Sequence, residues 1–310
     1  MFIWPLDELI DEEKAYAYLV KNLHPEGLHC PQGHKLPAGQ APHTQERAPV
    51  MSYRCRECGA VYHVFSGTAL HGIRYPCHTI VLMVRGFAQG RPTAHLAQEL
   101  GCDYSNLLSW RHQRQGLAEA MASEQPLPDE AAEIDEVYQN AGQKGEPHDA
   151  EDDQPRSRAN KARGRGTADS DRPPIVGLVG RQSQHIRLFV APDTRQATIM
   201  PFIETYMNDE DRLFTDAHPV YDALDDSAHA HASVSHADHE FARDDSGDGE
   251  RSVHINSAEG LWTSLRNFLR PLRGLHQDYL AQYVALFQVT FTLKRFSQSF
   301  LRDWLNPVSP

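Results

Sequence analysis

The spacing of hydrophobic and polar positions divides the chain into a helical first part and a mixed second part. Apolar residues recur at helical spacing over 6–24, the stretch 25–76 is rich in loops, and 77–121 returns to a helical pattern. Farther along, short apolar runs with β-branched residues predict strands at 134–139, 174–181, 185–191 and 212–216. Helices are predicted at 194–206, 255–272 and 276–296. This order of elements predicts a mixed α/β fold.

A polar stretch of 35 residues, 139–173, separates the first two predicted strands and contains almost no apolar residue. Its composition predicts a loosely held insertion, at about 140–173, within the later part of the chain. Five basic side chains of this insertion either contact phosphates or belong to a solvated linker. They are Arg156, Arg158, Lys161, Arg163 and Arg165.

Composition predicts a soluble globular protein of roughly two domains, because the chain has 310 residues, 40% of them hydrophobic. No apolar run is long enough to cross a bilayer, and the first residues carry acids instead of the basic residues of a signal peptide. We therefore expect a cytoplasmic protein with no membrane partner.

Charge is unevenly distributed along the chain, whose net charge is −12. Residues 208–250 carry two basic and thirteen acidic side chains, for −11. Residues 28–123 carry nine against five, and residues 260–310 carry six against two, for +4 in each case. These two basic regions are where a polyanion would be attracted.

Two short-spaced pairs of Cys and His predict a structural zinc site. Cys30-Pro-Gln-Gly-His34 precedes Cys55-Arg-Glu-Cys58 by about 20 residues, a spacing that suits a tetrahedral Zn²⁺ bound by these four residues. The first pair is irregular, because Gly33 stands where a regular CxxC knuckle has its second Cys. The alternative is a degenerate knuckle that packing alone holds together.

Residues 92–118 have the pattern of a helix-turn-helix. Pro92 can open a helix, Gly101 interrupts the helical pattern, and Asp103 can cap a second helix. The second helix carries polar side chains suited to bases and phosphates in a major groove. The candidates for DNA contact are Ser105, Asn106, Ser109, Arg111 and Arg114. The alternative is an ordinary three-helix packing unit.

Three acids occupy positions that suggest catalysis. Asp135 lies inside an apolar strand, Asp216 ends a strand, and Glu259 lies near the start of a helix. A buried acid is costly unless it binds something, and three such acids could converge on two Mg²⁺ ions for phosphoryl transfer. The alternative for each acid alone is a capping or surface role.

Three neighbours of Glu259 are further candidates. Arg266 lies two helical turns past Glu259 and could contact a DNA phosphate near the active site. His254 and Asn256 flank the same acid and could orient it or a metal-bound water.

Six segments together resemble the IS-fifteen-ninety-five (ISXO-like) group of DDE insertion-sequence transposases. The segments are CPQGH, CRECG, FSGTAL, EIDEVY, FTD and VHINSAEGLWTSLRNFLR, and the resemblance covers about 28–296. It implies a zinc ribbon at 28–76, a helix-turn-helix at 77–123 and a ribonuclease H-like catalytic domain at 124–300. The helix predicted from periodicity lies before them, in an N-terminal segment at 1–27.

The resemblance also implies roles for single residues. Asp135 and Asp216 match the first two catalytic acids that hold Mg²⁺ in a two-metal site. Glu259, with Arg266 seven residues on, matches the third position, and Asn256 is kept as a supporting candidate because some branches are described with Asn there.

The expected function is therefore a prokaryotic transposase that binds terminal inverted repeats and target DNA as a homo-oligomer. It would catalyse Mg²⁺-dependent strand cleavage and strand transfer. One alternative is a catalytically inactive or domesticated DNA-binding regulator, and another is a metal-dependent nuclease that cuts without joining.

Overall fold

The computed structural model describes residues 9–120, 125–143 and 164–292. These residues form two compact units, which separate in sequence at residues 121 and 122. Some predicted features lie outside the described residues: the start of the first helix at 6–8, the basic residues Arg156, Arg158, Lys161 and Arg163, and the end of the last helix at 293–296. Within the described ranges, no helix has the length and apolar character that a membrane crossing requires.

The first unit is largely helical, as its sequence predicts. Gly101 adopts a left-handed conformation with φ +62° between two helices, and Asp103 accepts a hydrogen bond of 2.8 Å from the Asn106 amide. The two helices and the turn predicted at 92–118 are thus present. The elements are α1 (Glu12–Leu23), β1 (Tyr53–Arg54), β2 (Val61–Tyr62), α2 (Cys77–Ala88), α3 (Thr93–Leu100) and α4 (Tyr104–Ala120).

The second unit alternates strands and helices, which confirms the predicted mixed α/β class. Its strands are β3 (Ala131–Tyr138), β4 (Ala141–Gly142), β5 (Pro174–Gly180), β6 (Ile186–Val190), β7 (Arg212–Asp216), β8 (Ala230–Val234) and β9 (Leu275–His276). Its helices are α5 (Gln196–Tyr206), α6 (Asn256–Leu269) and α7 (Gln277–Thr292).

The main sheet has five strands in the order β6-β5-β3-β7-β8. β3, β5 and β6 pair antiparallel, whereas β7 and β8 continue the sheet parallel to β3. β8 was not among the predicted strands, because its sequence AHASV lies in the segment rich in Asp and His. Its pairing with all five residues of β7 makes it a strand despite that composition.

Helices cover both faces of this sheet. On one face, α6 and α7 enclose a core that includes Val137, Leu265 and Val284. On the other face, α5 packs Ile199 and Ile203 against the sheet. Coverage of both faces explains why every residue of β5 is buried and why its sequence is a continuous apolar run.

Gly177 of β5 makes room for the largest side chain in the first of these cores. A Cβ added at Gly177 would lie 2.5 Å from a ring carbon of Trp262 and 2.9 Å from Leu188. The indole of Trp262 therefore occupies the space that any other residue at position 177 would fill. This close approach positions α6 over the middle of the sheet.

A side chain of α7 accepts a hydrogen bond from one backbone amide on the free edge of β6. The buried side chain of Gln288 accepts a hydrogen bond of 2.6 Å from the Leu188 amide. Gln288 interrupts an otherwise apolar stretch of helix because its amide oxygen replaces the strand partner that Leu188 lacks on that side.

Gly177→Ala is expected to lower the free energy of unfolding by about 1–3 kcal/mol, the usual cost of overpacking a core. Chemical denaturation at fixed pH, with zinc and magnesium present, measures this change. Gly260→Ala is the matched control, because Gly260 is an exposed position of α6 with no atom within 4 Å of the added Cβ. That control should gain up to about 1 kcal/mol from helix propensity. Equal stability of Gly177→Ala and the wild type would contradict the close packing of Trp262.

Candidate functional site

Asp135 lies on the face of β3 that α6 covers. Side chains alternate along a strand, so Glu133, Asp135 and Val137 point to the same side. The Trp262 indole N–H donates a hydrogen bond of 2.8 Å to Asp135 Oδ2. This bond fixes the carboxylate of a central strand to the middle of α6.

Asp216 lies next to Asp135 because β3 and β7 run parallel and in register. Glu133 is level with Phe214, and continuing both strands by two residues brings Asp135 level with Asp216. Adjacent strands are about 4.8 Å apart, and these two acids share one face. The structure thus brings together the first two predicted catalytic acids.

The acids at this end of the sheet have raised pKa values. Burial, together with the negative charges of Glu136 and Asp216, raises the pKa of Asp135 to about 7 against the opposing hydrogen bond from Trp262. Burial also raises the pKa of Asp216, although His218 and other cationic groups nearby oppose this shift. Such perturbed carboxyl groups concentrate at functional sites.

One carboxylate oxygen of this pair is left without a partner. Asp216 Oδ1 is buried and accepts no hydrogen bond from any described residue. Buried polar atoms in native proteins nearly always have a partner, so this oxygen, beside the half-buried carboxyl group of Asp135, indicates a place for a cation. The hard oxygen ligands of Asp135 and Asp216 suit a divalent cation such as Mg²⁺.

The third candidate acid lies apart from this pair. Glu259 is exposed on α6, one turn before Trp262, and Asn256 is the exposed first residue of the same helix. In the described part of the chain, no group of three carboxylates converges as metal ligands. The structure therefore does not gather Glu259 with Asp135 and Asp216, and it does not decide between Glu259 and Asn256.

Glu133 holds the start of α6 and was not identified from the sequence. Its fully buried carboxylate accepts hydrogen bonds from the backbone amides of Ser257, at 2.7 Å, and Ala258, at 3.0 Å. Arg181 Nε donates to the same carboxylate at 3.0 Å. A helix N-terminus favours negative charge, so this acid replaces the side-chain cap that Ile255 cannot provide.

His254 belongs to the same network. Its Nδ1 lies 3.3 Å from Glu133 Oε1, and its backbone oxygen accepts a hydrogen bond from Arg181. His254 therefore contacts the capping acid, whereas the sequence placed it as a possible partner of Glu259. The sequence did contain a signal for Glu133. It lies two residues before Asp135, and this spacing places both acids on one face of β3.

Glu136 is a further acid that the sequence analysis did not select. It points to the opposite face of β3, where the hydroxyl of the buried Tyr221 donates to its carboxylate at 2.8 Å. Burial raises its pKa, and the charge of Asp216 adds to this effect. Arg165, within the predicted insertion, is among the cations that oppose the raised pKa of both acids.

The four predicted zinc ligands converge in the first unit. The candidate ligand atoms of Cys30, His34, Cys55 and Cys58 all lie within 4.8 Å of one another. The Sγ atoms of Cys30 and Cys58 are 3.7 Å apart, and His34 Nδ1 is 3.3 Å from Cys30 Sγ and 3.6 Å from Cys55 Sγ.

These distances fit a tetrahedral metal. With a Zn–S bond of about 2.3 Å, two sulfur ligands lie about 3.8 Å apart, and a sulfur and a nitrogen ligand lie about 3.6 Å apart. A backbone amide of Cys58 lowers the pKa of the Cys55 thiol to about 6, which favours the thiolate that binds metal. The second ring nitrogen of His34 lies 3.5 Å from Glu57, as is common for metal-binding histidines.

The irregular first knuckle has a simple conformational cause. Gly33 has φ +84° and donates its amide to the Cys30 carbonyl, so it closes the turn and leaves His34 to approach the cluster. Gly59 has φ +74° at the corresponding place after Cys58. A positive φ favours glycine at both positions.

The predicted DNA-contacting residues of α4 divide into two groups. Ser105, Asn106 and Ser109 are exposed. Arg111 and Arg114 are buried, with 0% and 5% of their surface exposed, so the prediction that these two arginines reach DNA is wrong for this conformation.

The packing of α4 explains this correction. The Arg111 guanidinium lies over the Phe87 ring at 4.8 Å and donates to the Arg91 carbonyl, while Arg114 lies over Trp110 at 5.2 Å. Burial lowers the pKa of Arg114 to about 10. Both arginines follow the buried Leu107 at four and seven residues, a spacing that places them on the inner face of the helix.

Comparison with known proteins gives a family match over the second unit. The ISXO2-like transposase domain matches residues 129–291, which is more than half of the chain. A protein of Halobacterium salinarum, named an uncharacterized protein in transposable element ISH50, is 27% identical over 288 residues, covering 92% of each chain. An uncharacterized transposase-like protein of Haemophilus influenzae is 26% identical over 95 residues, covering 31% of this chain and 71% of that protein.

A solved structure also has partial similarity. It is the simian T-cell lymphotropic virus intasome in complex with the PP2A regulatory subunit B56 gamma, with 13% identity, a TM-score of 0.29 and coverage of 67% of each chain. A TM-score of 0.29 does not establish a shared fold.

The raised pKa of Asp135 predicts a pH-dependent stability. Burial favours the neutral carboxyl group, so the folded-state pKa of about 7 exceeds the usual 3.8, and stability from this group is lost as the pH rises through about 7. Asp135→Asn stays neutral and retains an acceptor for Trp262. In buffer without Mg²⁺, its melting temperature relative to the wild type should therefore increase between pH 5 and pH 8.

The exposed Asp209→Asn is the control, and its difference from the wild type should be the same at both pH values. A pH-independent difference for Asp135→Asn would contradict the burial of a titrating carboxyl group at this position.

Proposed function

The chain belongs to the ISXO2-like transposase family, and from this premise we propose that it is a DDE transposase that cleaves and joins DNA at the ends of an insertion sequence. The observation that carries the proposal is the pair of half-buried acids, Asp135 and Asp216, on adjacent parallel strands, with one oxygen that has no hydrogen-bond partner among the described residues. The family suggests a DNA-cleaving and DNA-transferring enzyme that needs a divalent metal.

Asp135 and Asp216 would hold the metal, in a two-metal Mg²⁺ site whose third ligand comes from Glu259 or Asn256. Bound Mg²⁺ would supply positive charge that activates a water or a 3′-hydroxyl and stabilises the leaving oxygen. Glu259 lies one turn and Asn256 nearly two turns before Trp262, so the helix that contacts Asp135 carries both candidates.

The surrounding residues have positioning roles in this proposal. Trp262 orients the carboxylate of Asp135, and Glu133 holds the N-terminus of α6 against β3. Arg266, which is exposed farther along α6, would contact a DNA phosphate near the reacting bond. The five-stranded sheet, with three antiparallel strands followed by two parallel ones, supports a ribonuclease H-like architecture.

The first unit would recognise the terminal inverted repeats. Exposed polar residues of α4 would contact DNA, namely Ser105, Asn106 and Ser109. A Zn²⁺ bound by Cys30, His34, Cys55 and Cys58 would stabilise the loop-rich segment that precedes these helices, because that segment has little core of its own. Pairing of two DNA ends would require a homo-oligomer.

Purified protein is expected to contain one zinc ion per chain, measured by elemental mass spectrometry after dialysis. Cys58→Ser should lose most of this zinc and lower the melting temperature, because one of four ligands is removed. Cys102→Ser should retain the metal, since Cys102 lies outside the cluster. A zinc-free wild type, or full zinc in Cys58→Ser, would exclude the structural site.

The transposase proposal is tested by cleavage of labelled DNA from the flanks of the gene. The wild type should cut at inverted-repeat ends only when Mg²⁺ is added, and omission of Mg²⁺ is preferable to a chelator because it leaves zinc in place. Asp216→Asn should bind the same DNA with cleavage reduced by at least about 10²-fold, the scale of losing one charge-stabilising group.

Asp209→Asn, an exposed acid just before the same strand, should cleave like the wild type. Undiminished cleavage by Asp216→Asn would refute the assignment of the acids. Specific binding without any cleavage by the wild type would instead indicate a DNA-binding regulator.

A further inference from the structure

Three arginines line a cleft at the C-terminal end of α6. The cleft has a volume of about 480 Å³ and lies within the second unit. Gln139 and Asn140, which follow β3, form one wall. The other wall is formed by residues 266–274, among them Arg266, Arg270 and Arg273.

Among the described residues, no acidic group neutralises the charge of this cleft. All three arginines are exposed, and in the described ranges none of their guanidinium groups has a hydrogen bond or an ion pair. The described residues that line the cleft include no acid. In a chain of net charge −12, where Arg181 and Arg243 pair with acids, an unpaired group of three is a concentrated positive site.

The cleft also presents hydrogen-bond donors. Arg266 and Arg270 lie on consecutive turns of one helix face, and Arg273 lies beyond the helix with φ +53°. Asn140 Oδ1 accepts a hydrogen bond of 2.6 Å from Arg172, which leaves the Asn140 side-chain N–H₂ as a donor. Guanidinium groups in this arrangement match the oxygens of phosphates.

Distance along α6 relates the cleft to the carboxylates. Arg270 follows Trp262, which is bonded to Asp135, by eight residues, or about 12 Å along the helix axis. Phosphates of one DNA strand advance by about 3.4 Å per nucleotide along the duplex axis. For a duplex whose axis runs along α6, this separation corresponds to three or four nucleotides.

We propose that this cleft binds the DNA backbone beyond the phosphate assigned to Arg266, with Arg270 and Arg273 contacting phosphates three or four nucleotides from the reacting phosphodiester. This inference rests on the proposed function and adds to it a second phosphate-binding site, formed by Arg270 and Arg273 beyond the position of Arg266. The ligand is the phosphate backbone, so binding at the cleft is independent of base sequence.

The test is the salt dependence of binding by the full chain to a fluorescein-labelled 40-base-pair duplex from the flank of the gene. Each phosphate contact contributes about 0.9 to the slope of log affinity against log salt. The triple variant Arg266→Gln, Arg270→Gln, Arg273→Gln should lower the slope by about 2.7. Between 50 and 200 mM KCl, the wild type should then lose about 40-fold more affinity than this variant.

Two further variants separate DNA binding from effects on the helix. Cations near a helix C-terminus also stabilise the helix, but Arg273 lies outside α6, so Arg273→Gln should lower the slope by about 0.9 with an unchanged melting temperature. Arg195→Gln is the control, because Arg195 is exposed at the start of α5 on the other face of the sheet and should leave the slope unchanged.

The outcomes distinguish this inference from the proposed function. An unchanged slope in both the triple variant and Arg273→Gln would overturn the phosphate cleft and leave the transposase proposal intact, provided that the wild type binds and cleaves DNA. A wild type that neither binds nor cleaves the duplex would overturn the proposed function and the cleft together. A slope lowered equally by Arg195→Gln would also overturn the cleft, because the effect would then reflect overall charge.

Discussion

The hydrogen bond from the Trp262 indole to Asp135 is the contact on which the candidate active site depends. It joins the middle of α6 to the central strand of the sheet, and it requires Gly177 on the neighbouring strand, because only glycine leaves space for the indole. The same contact fixes α6 against β3. It thereby positions Asn256, Glu259 and Arg266 relative to Asp135, since all three belong to α6. A packing constraint thus controls the placement of the residues proposed for chemistry.

The acids of the second unit fall into two electrostatic classes. Glu133 is fully buried, but two helix amides and Arg181 satisfy its charge, so it serves the structure. Asp135 and Asp216 are half-buried, their pKa values are raised, and one buried oxygen of Asp216 has no hydrogen-bond partner among the described residues. Burial alone does not mark an acid as a functional candidate. A raised pKa and an oxygen without a hydrogen-bond partner do.

Much of the fold could be predicted from the sequence, because its strands and helices have clear apolar periodicity. The predicted strand 212–216 coincides with β7, and the predicted pair Asp135 and Asp216 meets through strand register alone. β8 could not be predicted, because its pairing with β7 outweighs an unfavourable local composition. The domain limits drawn from the sequence stay predictions.

Side-chain roles were harder to predict than backbone elements. Arg111 was predicted to contact DNA because of its residue type, although its spacing from Leu107 places it on the buried face of α4. Glu133 was overlooked because the group it satisfies, a helix N-terminus 124 residues later, is distant in sequence. The proposed choice between Glu259 and Asn256 also depends on the rotamers of exposed side chains, which a sequence pattern does not determine.

The hydrogen bond between Gln288 and the Leu188 amide has a consequence for assembly. An edge strand with unpaired amides is a template on which another chain can add a strand, and this is a common route to aggregation. Because α7 occupies that position on β6, two copies of the chain cannot join by extending their sheets across this edge at Leu188. Within the main sheet, a strand added by a second copy would therefore have to pair with the opposite edge strand, β8.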